Sequence, residues 1–198
     1  MKIKSSFNVL ALSVVMVFAS CQDGTKKNSK ELKNDKLIAQ ANVLAKEKKV
    51  PTINEVISYD IGFTKLHKMV QSSGLENMLN GTKPYTIFAP LNGAFERLPK
   101  GAYEKLLASE NKDELAAIMS CHIIPGLINE QDIIKAINER GGSVKLKTLG
   151  GTRLIASRKR GKIYLIDKNG NSGRLMKTDI ETTNGMIHTL ESVMLPKK

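Results

Sequence analysis

The chain has 198 residues, 41% hydrophobic and 25% charged, enough for one ordinary globular domain with a short appendage and an argument against a multi-domain enzyme. Its 31 Lys and Arg against 19 Asp and Glu give a formal charge of +12, which makes polyanions and anionic membranes the first partners to weigh. No Trp, 5% aromatics and two cysteines, Cys21 and Cys121, leave little material for stacked-aromatic recognition and exclude a disulfide-rich scaffold or a four-thiolate zinc site.

Residues 1–20 read as a signal peptide: Lys2 and Lys4, then an apolar run from Phe7 to Ala19 broken only by Asn8 and Ser13. That run falls short of the roughly 20 residues that span a bilayer, and Gln22, Asp23 and Gly24 follow at once, so export is expected rather than a retained transmembrane helix. Phe18-Ala19-Ser20-Cys21 resembles the lipobox of bacterial lipoproteins, with Phe18 where Leu is more usual. The resemblance implies cleavage before Cys21 and acylation of its thiol; the alternative is a plain secretory signal with an incidental cysteine. At about 0.8 kcal/mol per buried methylene, two or three acyl chains would make attachment effectively permanent. Acylation would also leave Cys121 without a disulfide partner. Residues 21–50 then read as a flexible basic tether, with eight Lys against four acids and at most a marginal helix over Leu37–Ala45.

From Pro51 the chain acquires core-forming periodicity. Ile53, Val56 and Ile57, then Phe63, Leu66, Met69 and Val70, fall at helical spacing, and Gly74 interrupts before a short turn over Leu75–Leu79. Thr86–Pro90 reads as a strand closed by proline, followed by a turn at Asn92-Gly93 and a helical stretch through Phe95 and Leu98. Asn111–Met119 is helical again, with Leu115, Ile118 and Met119 on one side. After Gly141-Gly142 the period switches to two: Val144 and Leu146, Leu154 and Ala156, Ile163 and Leu165, with turns at Gly150-Gly151, Gly161 and Asn169-Gly170. A helical first half packed on a sheet formed mainly by the second half defines an α+β domain over residues 51–196.

Three stretches carry a family resemblance. Thr86-Ile87-Phe88-Ala89-Pro90-Leu91-Asn92-Gly93-Ala94-Phe95, His122-Ile123-Ile124-Pro125-Gly126, and the closing run from Asn184-Gly185 through His188 to Leu195-Pro196 resemble, in order, the three signatures of fasciclin-like domains. The resemblance implies a single fasciclin-like domain and a non-enzymatic adhesion or ligand-binding module. The chain departs from the pattern at Cys121, where a tyrosine commonly precedes the histidine, at Leu91, which replaces a frequent Thr or Ser, and at Gly93, which replaces a common acid.

The residues themselves read mainly as structure. A neutral imidazole at His122 would donate to one backbone group and accept from another inside the core. The other histidines, His67 on a helix surface and His188 in the last strand, stand at no close ligand spacing, so neither a metal nor any other cofactor is expected. There is no Gly-x-Ser-x-Gly elbow, no phosphate-cradling loop and no His-Glu-x-x-His helix. Cys121 beside His122 suggests a thiol nucleophile, but neighbours in a strand point to opposite faces, and a small buried Cys is the plainer reading.

The charge is concentrated: residues 145–177 hold ten Lys and Arg against Asp167 alone. Its focus, Arg158-Lys159-Arg160-Gly161-Lys162, reads as a basic turn between two strands, fit to neutralise acidic groups of a polysaccharide or lipid headgroups, or simply a solvated hairpin that resists edge pairing. Two functions follow. One is a module on the bacterial cell envelope, lipid-anchored through Cys21 at the periplasmic or surface face of the outer membrane, whose partners are an acidic polysaccharide, an extracellular-matrix protein or another envelope protein. The other is a glycan-binding accessory to a polysaccharide-uptake system. Nucleic acid is not an expected ligand of an exported lipoprotein.

Overall fold

The computed structural model describes residues 49–196; the expected signal peptide, Cys21 and nearly all of the tether lie outside the described residues. The helical part comprises α1 (Ile53–Tyr59), α2 (Thr64–Ser73), α3 (Glu76–Asn80), α4 (Asn92–Phe95), α5 (Ala102–Leu107), α6 (Lys112–Cys121) and α7 (Glu130–Glu139). Thr52 starts α1 with a reciprocal cap, its hydroxyl accepting the Glu55 N–H at 3.1 Å while the Glu55 carboxylate accepts the Thr52 N–H at 2.7 Å. Three expectations change here. The 75–79 segment forms α3 rather than a turn, Asn92-Gly93 are the first residues of α4, which ends at Phe95 short of Leu98, and α5 and α7 form where the sequence reading places no element.

The described residues form eight strands in two four-stranded sheets. They are β1 (Tyr85–Pro90), β2 (Ile123–Pro125), β3 (Ser143–Lys147), β4 (Arg153–Lys159), β5 (Lys162–Ile166), β6 (Ser172–Arg174), β7 (Ile180–Thr182) and β8 (Gly185–Leu190). One sheet is mixed, in the order β2-β1-β8-β7, with β1 and β8 parallel in the register Tyr85↔Gly185 to Pro90↔Leu190. Every residue of β1 is buried, as a central strand covered on both faces requires. The other sheet is an antiparallel meander, β3-β4-β5-β6, whose strands alternate buried and exposed.

Alternation across β1 divides the core. Ile87 and Ala89 join Ile53, Ile57, Leu66, Met69, Leu115 and Met119 from the helices on one face of the mixed sheet. Phe88 faces the other way and meets Leu154, Ala156, Ile163 and Leu165 of the meander and Ile133 and Ile137 of α7. The two sheets are stitched where the chain leaving β6 runs antiparallel to β8: Leu175 bridges Leu190, and the Met176 N–H donates to the Thr189 carbonyl at 2.9 Å. With α7 packed on the inner face of β3 and β4, the outer face of the meander is left to solvent.

Candidate functional site

The three signature stretches, distant in sequence, occupy the adjacent strands β2, β1 and β8 and the segments that flank them, α4 included. Asn184, in the β7–β8 turn, uses all of its amide: Oδ1 accepts the Ile53 N–H at 2.9 Å, and Nδ2 donates to the Leu79 and Gly81 carbonyls, each at 2.7 Å. It therefore clips α1 and the end of α3 onto the sheet. A Cβ on Gly185 would collide with the Tyr85 carbonyl oxygen and Ile53 Cδ1, so the close approach of β8 to β1 demands glycine. Phe88 and His188 lie in register on the parallel pair and stack, ring centres 5.5 Å apart. Gly126 donates its N–H to the Pro84 carbonyl at 2.9 Å, carrying the β1–β2 ladder one step past the exposed Pro125. Ala89, Pro90 and Phe95 are buried packing residues.

His122 is wholly buried at the C-terminus of α6. Its Nδ1–H donates to the Ile118 carbonyl at 2.9 Å, and its Nε2 accepts the Met194 N–H at 2.9 Å, which fixes the tautomer. Burial depresses its pKa to about 4, against the opposing pull of the bond to Ile118, so the ring is neutral at pH 7. His188 is also buried: Nε2–H donates to the Ile128 carbonyl at 2.8 Å, and Nδ1 accepts the Asp179 N–H at 3.2 Å. Burial lowers its pKa too, outweighing the Asp179 carboxylate 3.8 Å away. Both imidazoles are consumed by backbone groups.

Cys121 and His122 are not strand neighbours, as expected, but the last residue of a helix and its cap. The pairing still fails as a catalytic dyad, because the Cys121 thiol lies against the Thr152 hydroxyl at 3.4 Å and burial raises its pKa, while both His122 nitrogens are occupied. His67 is half-buried rather than fully exposed. Leu91, where a hydroxyl residue is frequent, gives α4 no side-chain cap; Asn92 instead ties this corner to α2, accepting the Lys65 N–H at 3.0 Å. Among the described residues no cluster of His, Cys, Asp and Glu is placed to hold a metal ion, and no helix is long and apolar enough to cross a membrane.

The basic segment forms the β4–β5 hairpin. Lys159 pairs with Lys162 across a two-residue turn in which Arg160 and Gly161 have φ of 51° and 76°. All four cations are exposed, and none pairs with a carboxylate among the described residues. They do not share a face: Lys159 and Lys162 lie on the outer face of the meander, whereas Arg158 is in register with the buried Ile163 on the inner side. The outer face adds cations that composition alone did not single out. Lys147 and Arg153 are cross-strand partners at its far end, and Lys145 stands beside Ile155. Period-two alternation from the buried Val144 and Leu146 carries the signal that would have found them. Between the two ends Ile155, Ser157, Tyr164 and Ile166 are half-buried, and a depression of about 420 Å³ is lined by Ser157, Lys159, Arg160, Tyr164, Ile166 and Ser172. Asp167 offsets none of this surface; its buried carboxylate accepts the N–H groups of Asn169, Asn171 and Leu195 at 2.8–2.9 Å.

Comparison with known proteins places this arrangement. A family model described as the fasciclin domain matches residues 61–196. The chain is 34% identical over 145 residues to Protein sll1483 of Synechocystis sp., covering 73% of each. It is 36% identical over 145 residues to the transforming growth factor-beta-induced protein ig-h3 of Sus scrofa, where the match spans 73% of this chain but 19% of that much longer protein. The fold is similar to that of a FAS1 domain pair from the insect cell adhesion molecule Fasciclin I, with a TM-score of 0.66 at 22% identity over 74% of this chain and 51% of that one.

Proposed function

The chain belongs to the fasciclin-domain family, and from that premise we propose that it is a non-enzymatic adhesion or ligand-binding module of the bacterial cell envelope, lipid-anchored through Cys21. Fasciclin domains are generally modules of adhesion and ligand binding, and the family match over residues 61–196 is the observation that carries the reading. The buried chemistry agrees with it. The two core histidines spend their nitrogens on the backbone, and the Cys121 thiol is buried with a raised pKa, so the domain offers surfaces rather than a reactive pocket.

Anchoring rests on the sequence: a short apolar run ending at Ala19-Ser20-Cys21, followed by a Lys-rich segment ahead of the domain. The proposed location is the outer membrane, at its periplasmic or surface face. Mass spectrometry of the native protein tests the anchor, with an acylated Cys21 at the mature N-terminus as the expected result. A mature chain that starts elsewhere or retains Met1 would refute it. Adhesion is tested by probing extracellular-matrix and envelope proteins, together with a glycan array, with the purified mature protein; binding to none of them would refute the module reading.

A second reading, a glycan-binding accessory lipoprotein of a polysaccharide-uptake system, is favoured by one observation, the exposed cations of the β4–β5 hairpin. Co-purification with a polysaccharide transporter, and loss of growth on that polysaccharide when the gene is deleted, would support it over general adhesion.

A further inference from the structure

The geometry points to the outer face of the β3–β6 meander as the binding surface, and to a linear acidic polysaccharide, laid along the strands, as its ligand. This rests on the ligand-binding reading above and names its site and ligand class. The register makes the face. Lys147 stands opposite Arg153 at one end and Lys159 opposite Lys162 at the other, each pair on neighbouring strands about 4.8 Å apart. Arg153 and Lys159 begin and end β4, so at about 3.4 Å per residue the two cationic ends lie roughly 20 Å apart.

What lies between them selects the ligand. Along β4 and β5 the middle of the face is neutral, Ile155 opposite Ile166 and Ser157 opposite Tyr164, while the flanking strands place Ser143 and Lys145 on one side and Ser172 and Arg174 on the other. A half-buried phenol ring and apolar side chains suit the faces of pyranose rings, while the hydroxyls suit their substituents. The four strands themselves place no acid on this face, the Glu191 carboxylate at its β6 edge pairs with Arg174 at 3.6 Å, and no helix of the described residues packs on it. The depression beside Tyr164 opens here. A membrane would be served by a protruding apolar wedge, and a nucleic acid by more aromatics. A chain of sugar rings with spaced carboxylates meets both the cations and the neutral belt.

At physiological salt the Debye length is about 8 Å, so the two ends act independently on a small anion. Only a ligand long enough to reach both gains from the second contact as an intramolecular event, and affinity must therefore rise with chain length. The experiment is calorimetric titration of the full-length mature protein with oligogalacturonates, a trimer too short to bridge the ends and a dodecamer that bridges them. The dodecamer should bind about tenfold or more tightly than the trimer. The pairs Lys147→Glu with Arg153→Glu and Lys159→Glu with Lys162→Glu should each remove that advantage. Tyr164→Ala should weaken the dodecamer severalfold without changing its salt dependence. Arg158→Glu, on the opposite side of the same hairpin, should leave dodecamer affinity within about twofold.

Equal affinity for both lengths, an Arg158→Glu effect as large as that of either pair, or no binding of the dodecamer would overturn the inference. So would tighter binding to phosphatidylglycerol vesicles or single-stranded DNA than to the dodecamer. Thermal melts of each variant separate loss of binding from loss of fold. A protein that ignores the dodecamer yet binds a matrix or envelope protein would refute this surface and leave the adhesion reading standing.

Discussion

His122 Nε2 accepts the backbone N–H of Met194 at 2.9 Å, joining the end of α6 to the segment that follows β8. The same ring donates from Nδ1 to Ile118, so one buried side chain satisfies an orphan carbonyl near a helix terminus and an N–H outside any strand. This makes the histidine of the central signature a part of the framework.

Replacing His122 by Ala should cost about 1–3 kcal/mol for the stranded Ile118 carbonyl and Met194 N–H, with a packing loss added. Urea unfolding measures it. A change within about 0.5 kcal/mol, typical of exposed positions, would contradict a framework role.

Acid should destabilise the domain in a defined window. The folded pKa of His122 is about 4 and its unfolded value about 6.5, so its contribution is intact above pH 6.5, shrinks as pH falls and is lost on passing through 4. At about 1.4 kcal/mol per pH unit the loss is on the order of 3 kcal/mol, and His188, shifted in the same direction, adds to the slope. Unfolding free energy measured from pH 8 to 4 should show this fall, and a His122→Asn variant should show a slope flatter by about one proton.

Gly185→Ala should destabilise by more than about 3 kcal/mol, because its methyl group meets backbone at Tyr85 and the packed Ile53. Gly93→Ala provides the contrast. Nothing lies within 4 Å of the added carbon, and the site is helical, so a gain of about 0.5–1 kcal/mol is expected. Thermal melts of the two variants should move in opposite directions.

At the tip of the hairpin, Arg160 adopts φ of 51°, a conformation asparagine tolerates far better. Arg160→Asn should stabilise the domain by roughly 0.5 kcal/mol. A melting temperature that falls would show that the arginine makes compensating contacts.

The sequence revealed what has a local period. Val144, Leu146, Leu154, Ala156, Ile163 and Leu165 alternate because one face of their sheet is buried, and that alternation is visible in the residues alone. By contrast α5 buries only Leu106, too little to mark a stripe. Helix α7 carries a legible signal, the reciprocal Asn129–Asp132 cap ahead of Ile133 and Ile137, yet its β-branched run also suits a strand. The parallel pairing of β1 with β8 leaves no local trace, and without it nothing shows that the three signatures meet. Arg158, Lys159, Arg160 and Lys162 read as one cluster by proximity, but only the register shows that they divide between two faces.

The marriage of the first strand to the last also governs how the chain can be made. A polypeptide emerging N-terminus first presents β1, apolar and wholly buried in the finished domain, long before Gly185–Leu190 arrive to cover its parallel edge. Partial products cannot close the core, so the long-range pairing makes folding slow and leaves the incomplete chain dependent on protection from aggregation. The export proposed above would gain from this delay, since a chain that cannot fold prematurely stays threadable through a translocation pore until Gly185–Leu190 have been delivered.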